Sequence, residues 1–270
     1  MPDLLCTPCV ISFWINVMSS SSLNINNSFF EGLYKHAWKG IIPPGLTEAE
    51  VDFIQEIGTI KSTAKILDIM CGYGRHSLEL ARRGAQVTAI DNLQEYIDEI
   101  KIKASKQNLQ INAIRSDILH VTLDELYDVA ICMGNSFAFF DKANAVTVLK
   151  NISNHLKPGG IFIINSWMIA EIAIKHFKEK DWHYAGGYKC ILEYNYCFHP
   201  SRIESEQTII SPDGLVESVK GVDYIFTLDE LEEMFNEVGL KTKDLYSTPR
   251  KKKFTLGDGR IYIVASKITG

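Results

Sequence analysis

The sequence predicts a doubly wound α/β fold, a mostly parallel sheet of seven strands with an antiparallel β-meander inserted into it. From position 65 onward, short apolar runs alternate with segments of helical periodicity. These runs are apolar at successive positions, as strands buried on both faces are, and that favours a parallel sheet wrapped by helices. Between 188 and 226 the pattern changes to long stretches of two-residue alternation, which marks strands with one wet face.

Residues 1–22 read as a disordered or non-native extension. The apolar run from Cys9 to Met18 is too short to span a bilayer and has no preceding Lys or Arg, and Met18 followed by four serines resembles a start; 1–17 are therefore expected to be foreign or dispensable. Over 27–40, Phe30, Leu33, Tyr34, Ala37 and Trp38 fall at helical spacing until Ile41-Ile-Pro-Pro-Gly45 breaks it. Thr47 and Glu50 form a capping box for a helix with Val51, Ile54 and Ile57 on its apolar face. Strands are predicted at 66–70, 86–90, 111–115, 127–133 and 161–165, with helices striped by Leu78, Leu80 and Ala81, by Leu93 to Ala104, and over 143–156. Lys157-Pro-Gly-Gly160 reads as a turn. The meander is placed at 188–198, 202–210 and 215–226, with reversals at His199-Pro-Ser201 and Ser211-Pro-Asp-Gly214. A second capping box, Thr227 to Glu230, opens a helix that Gly239 ends, and strands at 240–246 and 260–265 complete the sheet. The domains are thus 23–187 with 227–270, and an inserted subdomain at 188–226 covering the site.

A chain of 270 residues buries a full α/β core and one modest addition. Its net charge of -5 argues against general nucleic-acid affinity, and the one basic run, 250–253, reads as a solvated loop. Six cysteines, two of them (Cys71 and Cys132) within a glycine loop and an apolar strand, suit reduced thiols in a cytoplasmic protein. Cys6 and Cys9 lack a second pair at zinc-binding spacing, so no metal is expected.

Function is written most densely in Lys65-Ile-Leu-Asp-Ile-Met-Cys-Gly-Tyr-Gly-Arg-His-Ser-Leu-Glu-Leu-Ala81. A strand runs into an elbow with Gly72 and Gly74 and then into a helix, so the backbone can approach a ligand closely. Asp68 inside the strand needs a partner. A dinucleotide loop would place a third glycine at position 77, which is Ser. The motif resembles the first motif of class I S-adenosylmethionine (SAM)-dependent methyltransferases, and four further segments match that family in order. They are Asp91-Asn92 at the end of the second strand, Ser116-Asp117-Ile118 after the third, Met133-Gly-Asn-Ser-Phe137 after the fourth, and Leu156-Lys-Pro-Gly-Gly160 before the fifth.

The resemblance implies SAM as cofactor and S-adenosylhomocysteine (SAH) as product. It implies a cofactor site built from Tyr34, Trp38, Asp68, Met70, Gly72, Gly74, Arg75, Asp91, Asn92, Ser116, Asp117, Ile118, Met133 and Asn135. Gly134-Asn-Ser-Phe137 and Tyr224 to Leu231 make the chain similar to small-molecule-type members with a β-meander over the active site. Neither the Pro-Pro cradle of nitrogen methylation on adenine or glutamine nor a Pro-Cys nucleophile is present. The expected acceptor is a small molecule, methylated at nitrogen or oxygen, in a monomer or homodimer without membrane contact. The alternatives are an RNA-modifying enzyme docking through 250–253 and the meander, and a SAM-binding protein without turnover. The catalytic residue stays unknown, with His36 and His76 as the candidate bases. Trp167, Trp182, Tyr188, Tyr194 and Tyr196 are candidates to line the acceptor pocket, although aromatics on one strand face usually pack the core.

Overall fold

The computed structural model describes residues 24–269. The extension at 1–22, with Cys6 and Cys9, lies outside the described residues. The central sheet has the order β10-β11-β5-β4-β1-β2-β3, where β1 is Lys65–Ile69, β2 Gln86–Asp91, β3 Ile111–Arg115, β4 Tyr127–Cys132, β5 Leu156–Ser166, β10 Leu240–Tyr246 and β11 Ile261–Lys267. Strands β1 to β5 pair in parallel, and β11 runs antiparallel to both β5 and β10. The sheet predicted from the apolar runs is therefore the one observed.

Because strand side chains alternate between faces, β1 sends Leu67 and Ile69 to one side and Ile66 and Asp68 to the other. Leu67 and Ile69 join Ala130, Cys132 and Phe162 against α5 (Lys142–His155) and α7 (Leu228–Glu237). Ile66 packs with Val129, Ile131 and Ile163 against α2 (Leu46–Gly58), α3 (Arg75–Arg82) and α4 (Gln94–Gln107). Two apolar layers thus sandwich the sheet, each contributing the burial that drives such folds.

Gly74 shows why the elbow needs glycine. Its φ is +76°, and a Cβ there would lie 2.5 Å from Ile100 Cγ1, so α3 can start only if that atom is missing.

Three local expectations are corrected. The N-terminal helix α1 spans Gly32–Ile41, and the predicted stretch before it forms a separate 3-10 turn at Ile25–Ser28. Thr47 and Glu50 make no capping box: α2 starts at Leu46 behind Gly45, and no side chain caps it. Lys157-Pro-Gly-Gly160 is no free turn but a bulge inside β5, since Tyr127 pairs with Leu156 and Val129 with Ile161.

The second sheet has four strands, not three, in the order β6-β7-β8-β9: β6 is Lys180–Ala185, β7 Tyr188–Phe198, β8 Ser201–Ile210 and β9 Val216–Tyr224. The inserted sheet therefore begins at Lys180, ahead of the expected edge at 188. β6 escaped the sequence reading because it is mostly exposed and so carries no apolar alternation. Helix α6 (Ala170–His176) leads into it. α1 packs on the meander through Ala37 against Ala185, Cys190, Leu192 and Ile209. No helix among the described residues is long and apolar enough to cross a membrane.

Two left-handed glycines separate backbone strain from close packing. Gly45 has φ +78° with nothing within 4 Å of a built Cβ, whereas Gly74 combines φ +76° with the Ile100 contact. We expect Gly74→Ala to lower stability by about 1–3 kcal/mol more than Gly45→Ala in urea unfolding. Equal losses would show that the approach to Ile100 does not constrain the elbow.

Candidate active site

The elbow after β1 is stapled to the end of β2. Gly72 N–H donates to Asp91 Oδ2 at 2.8 Å, Leu93 N–H donates to Asp91 Oδ1 at 3.0 Å, and Cys71 N–H donates to Ile90 O at 3.0 Å. Each carboxylate oxygen of Asp91 keeps a lone pair for a further donor. Burial nevertheless pushes the Asp91 carboxyl up to about 6, against the pull of those backbone donors. Asp68, turned to the α3 side, is 1% exposed and accepts from Ser77 Oγ at 2.5 Å. Burial raises its carboxyl too. Met70 holds φ +50° although it is not glycine, and Gly134 and Asn135 after β4 hold +85° and +76°. Left-handed residues thus cluster at the two loops that leave neighbouring strands β1 and β4.

Between those loops lies a cavity with about 1090 Å³ of empty space. Of the residues nominated from sequence, Trp38, Asp68, Met70, Gly72, Arg75, His76, Asp91, Asn92, Ser116, Asp117, Ile118 and Met133 line it. The elbow is open at Gly72, where a Cβ would find only Tyr96 Cε2, at 4.0 Å. Tyr96 also lines the cavity, and its buried hydroxyl has no hydrogen-bond partner. Asp117 accepts from Leu119 N–H at 2.9 Å in a turn, with no helix behind it. Asn24, Asn26 and Asn27, which the sequence reading passed over, close one side, and Asn92 Nδ2 donates to Asn27 Oδ1 at 3.3 Å.

Four nominated residues stand elsewhere. Gly74 packs on Ile100. Tyr34 and Asn135 line a second, adjoining cavity. His36 is exposed and stacks on Tyr188 at 6.3 Å, outside both cavities, because α1 turns that face toward the β6–β7 turn.

His76 faces the first cavity but is already engaged. Its Nε2 lies 2.9 Å from Glu50 Oε2, with Arg75 Nη1 at 2.6 Å from the same oxygen and Tyr262 donating to Oε1 at 2.8 Å. Burial alone would raise the Glu50 carboxyl; the bond and charge of His76, Arg75 and the Tyr262 hydroxyl overcome it and hold Glu50 at about 2. Arg75, nominated for the cofactor site, gives Nη1 to Glu50 and also to Thr47 Oγ1, the latter at 3.1 Å.

The second cavity, about 1190 Å³ of empty space, lies under the meander and shares Phe30, Trp38, Arg75, Gly134 and Phe139 with the first. Trp167 and Tyr194 line it. Trp182 does not, being 61% exposed on the outer face of β6. Tyr196 packs on Phe177 at 5.8 Å, and Tyr188 meets His36. Asp223 on β9, which the sequence reading missed, also lines this cavity. It accepts from Asn135 Nδ2 at 3.0 Å, and burial pushes its carboxyl up to about 7 against that bond.

Residues 66–160 match the model of a family described as a methyltransferase domain. A ubiquinone biosynthesis O-methyltransferase of Rickettsia akari is 37% identical over 105 residues, which is 39% of this chain and 41% of that protein. The chain thus matches about two fifths of the length of that curated relative. A SAM-dependent methyltransferase from Clostridium acetobutylicum superposes with a TM-score of 0.75 at 18% identity, covering 87% of this chain and 96% of that one. The amino pentose methyltransferase CalS10 from Micromonospora echinaspora gives a TM-score of 0.64 at 20% identity, covering 87% and 97%.

Glu50 supplies a stability test with a defined sign. Its carboxyl is depressed on folding, so its contribution is complete above the unfolded value near 4.5 and is lost as pH falls toward about 2. Glu50→Gln should cost about 3 kcal/mol at neutral pH, since Arg75 loses its buried counter-charge. The gap between wild type and variant in urea unfolding should narrow below about pH 4; a gap independent of pH would place the Glu50 charge outside the fold's stability.

Proposed function

We propose that this chain, which carries a methyltransferase domain at residues 66–160 on the class I SAM-dependent methyltransferase fold, moves a methyl group from SAM to a small-molecule acceptor at nitrogen or oxygen. The observation that carries this reading is the meeting of two cavities at Trp38, Arg75, Gly134 and Phe139, one at the sheet edge and one under the meander. A donor and an acceptor seated in them face each other across Gly134.

The residues of the first cavity fit the cofactor. Asp91 and Asp117 offer free acceptor positions for ribose hydroxyls and an adenine amino group. Asp68, a buried carboxylate, is balanced by an ammonium group. Gly72 leaves room for close backbone approach, and the orphaned Tyr96 hydroxyl gains a partner. Asn92, Ser116, Ile118 and Met133 complete the walls. SAM supplies a methyl group already activated on sulfur, so the protein's contribution is alignment and exclusion of water.

The segment from Asn24 through α1 provides both. Asn26 Nδ2 donates to Val222 O at 2.8 Å, and Val222 N–H donates to Asn26 Oδ1 at 2.9 Å, which ties the segment to the meander. Phe29, Phe30, Tyr34, Trp38 and Phe139 pack ring against ring over the junction. His76 keeps the first turn of α3 in place through Glu50 rather than serving as a base.

Proteins similar to this chain carry names with small acceptors, among them a sugar N-methyltransferase and the O-methyltransferases of ubiquinone biosynthesis. The RNA-modifying alternative finds no support in the basic run. Lys251 pairs with Glu56, Lys252 with Asp258 at 2.6 Å, and Lys253 with Asp244, so its lysines are already neutralised by neighbours.

Calorimetry should show SAH binding, and Asp91→Ala and Asp117→Ala should each weaken it by about 1–3 kcal/mol through unpaired ligand donors. Asp117→Ala is the cleaner variant, because Asp91 also holds the elbow. With methyl-labelled SAM, label should enter the low-mass fraction of a metabolite extract and not total RNA. Absence of SAH binding would overturn the reading; label in RNA would overturn its acceptor.

A further inference from the structure

The inner face of the meander carries polar groups where an amphipathic sheet would bury apolar ones. Ser205 and Gln207 on β8 are buried there, and Asp223 on β9 follows Gly221 on the same face. Gly221 is small because Phe29 lies against it: a Cβ would meet Phe29 Cε2 at 2.6 Å. The strand is thus shaped to bring Asp223 up to α1 and the aromatic junction.

Asp223 is also held in one orientation. Asn135 Oδ1 accepts from Ser166 Oγ at 2.8 Å and from Trp167 N–H at 3.1 Å, which fixes the amide so that its Nδ2 donates to Asp223 Oδ1 at 3.0 Å. No other side chain donates to Asp223 among the described residues, so Oδ2 is left for whatever enters. Asn135 adjoins Gly134, where the two cavities meet.

Among the described residues no cationic side chain pairs with this carboxylate. Tyr34 from α1, Tyr194 from β7 and His183 from β6 share the cavity. Burial raises both phenols, Tyr194 to about 12, so they face Asp223 as neutral rings. Of the two guanidinium groups of the cavity, Arg75 is engaged on Glu50, and Arg260 lies over the Trp167 ring at 5.3 Å from its centroid; neither pairs with Asp223. A desolvated carboxylate in a cavity shared with the rings of Trp38, Tyr34 and Tyr194 is a site for a cation.

Resting on the methyltransferase reading above, we propose that Asp223 receives the acceptor, and that the acceptor is a small molecule bearing an amine that enters as an ammonium ion. The chemistry balances with no further reactant. One N–H proton passes to Asp223 Oδ2, leaving a neutral amine and a neutral carboxyl. The freed nitrogen lone pair forms the N–C bond to the methyl carbon while the C–S bond breaks and its electron pair stays on sulfur. The product leaves as the methylated ammonium, and Asp223 releases its proton to solvent. A hydroxyl acceptor would gain little from the aromatic faces, which attract cations.

The test uses the full chain saturated with SAH, titrated with cyclohexylamine and with cyclohexanol, two probes of one shape that differ in charge. The amine should bind about tenfold more tightly than the alcohol, and its binding should strengthen from about pH 6 to about pH 8 as Asp223 ionises. Asp223→Asn should weaken the amine about tenfold and leave both the alcohol and SAH unchanged. Equal binding of the two probes, or full amine affinity in Asp223→Asn, overturns the proposal while intact SAH binding leaves the methyltransferase reading standing. Should the variant lose SAH binding through misfolding, the wild-type preference and its pH dependence decide the question.

Discussion

The crossover after β1 goes to one face of the sheet and the crossover after β4 to the other, and a crevice between adjacent parallel strands is the unavoidable result. The packing shows this directly: α3 buries Leu80 and Ala81 with Ile66, whereas α5 buries Val148, Leu149 and Ile152 with Leu67 and Ile69. Everything that concerns the cavity follows from that divergence. The loops at Met70–Gly74 and Gly134–Asn135 flank the crevice, and both take left-handed backbone to turn away from it. Asp91 and Asp117 reach it because β2 and β3 end at the same level, as the register of Asp91 with Arg115 requires.

A buried electrostatic knot fixes one wall of the crevice. Glu50 draws together α2, the first turn of α3 and β11 through Arg75, His76 and Tyr262. Such a cluster adds less net stability than an apolar core of equal volume, but it sets how Arg75 and His76 stand at the cavity wall. It also engages the histidine beside the elbow, whose Nε2 lies 2.9 Å from Glu50 Oε2. The opposite wall comes from a different source, the meander and α1, joined through Ala37 and through the Asn26–Val222 bonds.

Much of this was legible in the residues. Buried parallel strands announce themselves as unbroken apolar runs, and the elbow glycines are readable because left-handed φ and a 2.5 Å approach leave no alternative at Gly74. Acids at strand ends could be named before their hollow was seen. What escaped was long-range or ambiguous. Thr47 and Glu50 have capping-box spacing, and nothing local says that both turn instead to Arg75. Of residues 180–185 only Ala185 is buried, so β6 left no alternation to find. Asp223 sits between Val222 and Tyr224 in a strand whose two faces are both partly polar, so its sequence context did not tell an inner carboxylate from a wet one.

On the proposed function, an adenosyl group lies along Asp91 and Asp117, and its sulfur points through the junction at Gly134 toward the cavity under the meander. A crystal structure of the SAH complex tests it most directly. Density for SAH should run from Asp117 past Gly72, with the sulfur nearest Gly134 and the second cavity still accessible. Density for SAH lodged instead beneath the meander, or with its sulfur turned away from Gly134, would contradict it.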